Sequence, residues 1–322
     1  MSDPRYGLLF AGDPVSPSPS SLLERLPITV DLRESEVRRL QRSAAGLCDF
    51  ALIQMLGTQF RYLRRDQIGV LYRDLTAPAL SRRLSLLWRA QWVNREFVMD
   101  QGHRHQVYTL GKLGLEWLRF SGMTPRWVTR DGWGANADAH LAHWLGIADI
   151  WVQLRRFADK APGVELTRFE VELEYVYGSM DARTKFKPDA FFELRWGLAA
   201  DEGLRAYAEF DRATESLSRW QMYKVQNARN FGMSGRWPWG EQPIDYWVFA
   251  SQPRLEAIHR TDPQQLSGAP FRWQGEWILI PWEAWRNRGL NGSRQWVFPR
   301  SDKSSSQWSQ LVTAVNNRIR HR

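Results

Sequence analysis

The chain has one cysteine in 322 residues, Cys48. A lone thiol closes no internal disulfide and builds no Cys-rich zinc site, so the sequence reads as that of a protein held in a reducing compartment, the cytoplasm. Apolar runs are short, and none reaches the roughly 18 residues of a membrane span. The first residues lack a basic stretch followed by an apolar one, so neither a secretory leader nor a membrane partner is expected. There is no glycine-rich loop ending in Gly-Lys-Ser/Thr, which argues against ATP hydrolysis by a phosphate-cradling loop. The glycine fingerprint of dinucleotide binding is also missing, as is the Gly-x-Ser-x-Gly elbow of ester hydrolases. No internal repeat is visible.

Charge and aromatic residues are plentiful instead. Lys and Arg number 44 against 35 Asp and Glu, a net charge of +9, and 18 residues are tryptophan. With 43% hydrophobic and 13% aromatic residues the chain can bury cores, and its length suits two domains. Surplus positive charge favours a polyanionic partner, nucleic acid before membrane. Nine of the 18 tryptophans fall at or after Trp237. They either fill a core and cover a sheet edge, or some of them stack on bases.

The hydrophobic period divides the chain. Residues 1–40 hold a Pro/Ser-rich lead-in (Asp13 to Ser21) and the start of a helix that runs from Arg33 to Leu56. Tyr62–Tyr72 and Ala77–Val93 also read as helices, the second opened by Thr76-Ala77-Pro78. The period then changes to that of a hairpin, with Trp92–Val98 and Gln106–Tyr108 as strands and Asp100-Gln101-Gly102 as the turn. A closing helix through Leu118 completes a winged-helix pattern over residues 41–120. Residues 121–136 read as a linker. From 137 to 284 the order is a helix at Asp138–Phe157 and strands at Leu166–Tyr177, Pro188–Leu194 and Leu204–Asp211. A helix at Thr214–Phe231, a strand at Ile244–Ala250, a short helix at Pro253–His259 and a strand at Trp277–Ile280 follow. That is an α/β domain with a mixed sheet, α+β for the chain as a whole. Residues 285–322 form a basic C-terminal segment, with eight Lys/Arg and one acid.

Between Arg42 and Phe120 there are 12 Lys/Arg and 6 Asp/Glu, a net of +6. The helix Ala77–Val93 carries Arg82, Arg83 and Arg89, the segment before it carries Arg61, Arg64 and Arg65, and the hairpin carries Arg95 and Arg104. A helix-turn-helix lays its second helix in the major groove, where arginine forks bind guanine edges or phosphates. The expected partner is therefore DNA, touched by Arg64, Arg65, Arg82, Arg83, Arg89, Arg95 and Arg104; the plainer alternative is a solvated face. His103-Arg104-His105 has the spacing of a paired metal ligand. With arginine in the middle and a turn beside it, it reads as structural or DNA-facing, as do His140 and His143.

The sharpest local signal is Lys187-Pro188-Asp189-Ala190-Phe191-Phe192-Glu193, with Glu209-Phe210-Asp211 twenty residues after Asp189. Pro188 suits the start of a strand. Glu209 and Asp211, two apart on the next strand, share a face. If the strands are neighbours, Asp189, Glu209 and Asp211 converge. Three gathered carboxylates call for a cation, and hard oxygen ligands suit Mg²⁺ or Mn²⁺, which activates water for phosphoester hydrolysis. The plainer alternative is a set of surface charges, with Asp211 and Arg212 as an exposed ion pair.

Pro-Asp followed by a strand glutamate, on this order of elements, resembles the PD-(D/E)xK nuclease fold. More narrowly, a winged helix followed by Lys-Pro-Asp-Ala, then Glu-Phe-Asp-Arg-Ala-Thr-Glu-Ser and a helical lysine, resembles the replication-relaxation proteins of plasmids and integrative elements, over about residues 45–250. The resemblance implies that Asp189 and Glu209 are metal ligands. The lysine expected two residues after the glutamate is replaced by Asp211. The resemblance implies that Lys224 on the following helix stands in for it, with Glu215 orienting it or adding a ligand and Lys187 as a second candidate. It implies a DNA-binding protein of a mobile element, acting in replication or transfer beside other replication, transfer or transposition proteins. Such a protein is either a metal-dependent nuclease or nickase, or a non-catalytic regulator that keeps the fold.

Overall fold

The computed structural model describes residues 46–100, 103–126, 137–177, 184–196, 203–233, 244–260, 277–289 and 296–298. The chain divides into two compact units, 1–148 and 149–322.

The first unit runs α1 (Gly46–Thr58), β1 (Leu63–Arg64), α2 (Arg65–Ile68), α3 (Ala77–Arg89), β2 (Val93–Asp100), β3 (His103–Leu110) and α4 (Lys112–Phe120), then the first part of α5 (Ala137–Lys160). Its sheet is antiparallel, in the order β1-β3-β2. Helix α3 starts where the sequence says it should: the Thr76 hydroxyl accepts the amide hydrogen of Ala79, and Pro78 sits in the first turn, where no N–H is needed. Leu80, Leu84 and Leu87 then recur at helical spacing and are buried, as are Leu52, Leu56, Val93 and Val107. The helix stops at Arg89 rather than continuing to Val93, because Gln91 turns the backbone to φ 57° and Val93 opens β2. Only Arg65–Ile68 of the expected helix Tyr62–Tyr72 is helical. Leu63 and Arg64 pair with Tyr108 and Val107 instead, which extends the sheet and buries Leu63 completely. The hairpin turn at Gln101-Gly102 and residues 127–136 of the expected linker lie outside the described residues.

The second unit has a six-stranded mixed sheet in the order β11-β10-β9-β8-β7-β4. The strands are β4 (Glu165–Val171), β7 (Ala190–Arg195), β8 (Gly203–Asp211), β9 (Asp245–Ala250), β10 (Trp277–Pro281) and β11 (Trp296–Phe298), and β5 (Tyr175–Tyr177) and β6 (Thr184–Phe186) form a separate ribbon. Pairs β8–β9 and β9–β10 are parallel and the others antiparallel. Strand β9 is buried along its whole length, as a central parallel strand should be. Leu166–Tyr177 is not one strand: Glu172 takes φ 51°, its N–H donates to the carbonyl of Asp189 at 3.0 Å, and the chain leaves the sheet to form β5. Thr214–Phe231 is not one regular helix either. It consists of α6 (Leu217–Trp220), a π-helical turn (Gln221–Val225) and α7 (Gln226–Met233). Helices α8 (Gln252–Arg260) and α9 (Trp282–Arg288) follow β9 and β10. Trp220, Trp247, Trp277 and Trp285 are buried, so these four fill core.

Candidate functional site

Strands β7 and β8 are antiparallel neighbours with Ala190 opposite Ala208, which sets Asp189, just before β7, beside Glu209. Along β8 the side chains alternate, and Tyr207 and Glu209 lie on the face covered by the α6–α7 segment, where Val225, Ala228 and Phe231 pack on Tyr207, Tyr246 and Val248. That packing delivers Lys224 from the π-helical turn to the two carboxylates. Its Nζ lies 2.6 Å from Glu209 Oε1 and 3.9 Å from Asp189 Oδ1. The other oxygens are also engaged: Phe210 N–H donates to Asp189 Oδ2 at 2.8 Å, and the Tyr246 hydroxyl donates to Glu209 Oε2 at 3.3 Å. Glu209 is only 3% exposed. π-Helical turns are frequent at functional sites.

The electrostatics follow from this burial. Desolvation pulls the Lys224 ammonium down, but Glu209 and Asp189 outweigh it and hold the group above its ordinary value, with the exposed Glu215 adding to the same field. Burial, reinforced by Glu209 and Asp189, pushes the Tyr246 phenol well above its ordinary range, so it stays protonated and donates. Lys224 is thus a fixed cation and Tyr246 a fixed donor, both directed at Glu209.

Asp211 does not join this pair. Its Oδ2 accepts from Arg254 Nε at 2.6 Å and its Oδ1 from the N–H of Ala213 at 2.8 Å, which makes it the anchor of α8 and of the turn after β8. The three-carboxylate cluster expected from the sequence is therefore an acid pair plus a separate ion pair with Arg254, not Arg212. Among the described residues no three His, Cys, Asp or Glu side chains form a group able to hold a metal ion. The acid pair therefore offers a divalent ion two carboxylates beside an ammonium ion, rather than the three carboxylates expected from the sequence. Lys187 lies apart from the pair, with Lys185, on Glu174. Tyr246 and Arg254 had no local signal, because their roles depend on the parallel register of β9 on β8 and on the helix that follows.

In the first unit, two of the seven arginines expected on DNA are core residues. Arg83 is buried, and its guanidinium pairs with the buried Asp49, which also accepts the Tyr72 hydroxyl at 2.7 Å. Arg64 is buried beside Asp66, 3.2 Å away, because β1 draws it into the sheet. The others reach solvent. Arg82 and Arg89 are exposed, seven residues apart on α3 and so on one face. Arg65 is exposed and its Nη1 donates to Ser81 Oγ at 3.2 Å. On the hairpin the exposed Arg104 lies 4.1 Å from the ring of Phe97, and the half-buried Arg95 lies 3.8 Å from that of Trp88. His140 is exposed and His143 packs edge-on to Trp144.

No curated protein and no solved structure matches the chain. The family model described as replication-relaxation matches residues 58–236, which take in α3, the hairpin, Asp189, Glu209 and Lys224. Because that match spans more than half of the sequence, the chain belongs to the replication-relaxation family, which points to a function related to the replication of a mobile element.

Proposed function

We propose that this chain is a DNA-binding protein acting in the replication or transfer of a mobile element. In this reading its first unit is a winged helix-turn-helix that holds duplex DNA on α3 and the β2–β3 hairpin. The observation that carries it is the exposed set Arg65, Arg82, Arg89 and Arg104 on a region of net charge +6. Arginine forks in this setting bind phosphates and guanine edges. The test is the salt dependence of duplex binding. Arg82→Ala with Arg89→Ala should weaken binding and flatten the slope of log affinity against log salt by roughly 0.9 for each phosphate that is no longer neutralised. Unchanged binding by the folded double variant would remove α3 from the interface.

The second unit is read as a PD-(D/E)xK-like domain that serves as a non-catalytic DNA-binding adaptor, with partner proteins of the replication, transfer or transposition machinery. Its support is that Lys224 supplies the positive charge at Glu209 while Arg254 takes Asp211. One observation favours the rival reading, a Mg²⁺- or Mn²⁺-dependent nickase: Asp189, Glu209 and Lys224 do converge. Incubating supercoiled plasmid with the chain and either ion separates the two. The adaptor reading expects no nicking above that of Glu209→Gln; nicking by the parent chain that Glu209→Gln and Asp189→Asn each abolish would establish the nickase.

A further inference from the structure

Beside the acid pair lies a cleft of about 300 Å³ lined by Lys185, Phe186, Lys187, Tyr223, Lys224 and Asn227. Its parts differ in kind. Phe186, 2% exposed, belongs to the core beneath, whereas Tyr223 is 50% exposed and offers part of its ring to solvent. Arg219 lies 5.6 Å from the Tyr223 ring centre. Lys185 and Lys187 are two residues apart and share one carboxylate, Glu174, with Lys185 Nζ 2.6 Å from it. Both lysines are more than half exposed, so each bridge is weak. One carboxylate between two ammonium ions also leaves a net positive charge at the mouth. Lys224 is common to the cleft and to the acid pair.

An aromatic face in solvent beside lysines is the recognition chemistry of an unpaired nucleotide: the ring stacks on a base, and the ammonium ions take the phosphate. The volume is at the small end of pockets that take small ligands, which suits one nucleotide rather than a duplex. We infer that this cleft binds a single unpaired nucleotide of a DNA strand, its base stacked on Tyr223 and its phosphate drawn to Lys185 and Lys187. The strand then runs past Lys224 toward Asp189 and Glu209. This rests on the DNA-binding reading above and adds to it that the second unit takes single-stranded DNA while the first takes duplex. Glu174 is then the competitor that a phosphate displaces.

The test uses the full chain, a blunt duplex, the same duplex with an oligo-dT tail, and thymidine monophosphate. The tail should tighten binding about tenfold, the scale of one base stacked on an aromatic ring. Tyr223→Ala should remove that gain while leaving blunt-duplex affinity and melting temperature unchanged, and Tyr223→Phe should retain it. Glu174→Gln should enlarge the gain, because the phosphate no longer competes with a carboxylate. A tail that adds nothing, or a gain that survives Tyr223→Ala, overturns the inference. Thymidine monophosphate that stabilises the chain as well as the tail does would overturn the assignment to a strand. Loss of blunt-duplex binding with the tail gain intact would sink the reading of the first unit and leave this one standing.

Discussion

Asp49 and Arg83 show how little an arginine's position in the sequence says about its job. Arg82 and Arg83 are adjacent on α3, yet only Arg82 faces solvent, because a helix turns about 100° per residue. Burial pushes the Asp49 carboxyl up against the pull of Arg83 and Tyr72. Removing one partner of a buried ion pair costs about 3–5 kcal/mol, since the other charge is stranded. Arg83→Ala should therefore lower stability to denaturant by about that much, whereas Arg82→Ala should leave it within roughly 0.5 kcal/mol and change only DNA affinity. A stable Arg83→Ala with impaired binding would return Arg83 to the interface. Lys224 gives a second case. Its ammonium is held above the ordinary value, so its contribution is fully present below about pH 10.5 and is lost only as pH rises past that point. Lys224→Met leaves Glu209 buried with the Tyr246 hydroxyl and no ammonium. Its unfolding free energy near neutrality should fall by about 2–3 kcal/mol, less than for a fully dry pair because Lys224 is partly open. Part of that loss should return in mild acid, where the stranded carboxyl takes up a proton. A variant that loses the same amount at every pH would show that Lys224 contributes packing alone.

At the scale of elements, what could be read was periodic and what could not was relational. Helix α3, the β2–β3 strands and β8 are marked by caps, by a change of period and by alternation, all local signals. Strand β1 is two residues long and exists only because β3 offers it an edge. The break at Glu172 depends on its N–H finding the carbonyl of Asp189, and the π-helical turn depends on what lies under it. The acid pair was legible because strand spacing places Asp189 and Glu209 on neighbours. The fate of Asp211 was not, because Arg254 arrives through a parallel pairing that leaves no pattern in either strand. The hairpin yields a prediction from the same logic. Phe97 and Met99 are 54% and 59% exposed on one face of β2, with Arg104 opposite Met99 in register. Exposed side chains on a hairpin contribute little to stability, and apolar residues flanked by arginine suit a DNA groove. Replacing both with serine should leave the melting temperature unchanged and weaken duplex binding measured by fluorescence anisotropy. A large fall in melting temperature would mean that they pack against the protein instead.

For the whole molecule, the basic C-terminal stretch divides differently from the way charge alone suggests. Residues 285–322 have eight Lys/Arg and one acid, but Trp285 is fully buried and Trp296–Phe298 pairs with β10 in the six-stranded sheet. Helix α9 is further tied to α5 by Gln153, whose side-chain amide donates to the Arg286 carbonyl at 2.7 Å, and by Arg286 and Asp149, 3.8 Å apart. The charge run thus begins inside a folded element, which composition has no means of showing. A chain ending before Trp285 loses a core tryptophan, worth about 3–5 kcal/mol by itself, along with an edge strand. It should melt far below the parent or fail to fold. A chain ending after Phe298 removes five Lys/Arg and one Asp and none of the described elements. It should bind DNA more weakly, its salt slope shallower by roughly 0.9 for each phosphate the segment neutralises. Its preference among sequences should not change, because groups that hold phosphates position a protein without reading bases. If the truncation after Phe298 shifted sequence preference, the segment would read bases. If it left both affinity and slope intact, the positive charge beyond Phe298 would have no part in DNA binding, and the surplus that first pointed to a nucleic acid would rest on the first unit alone.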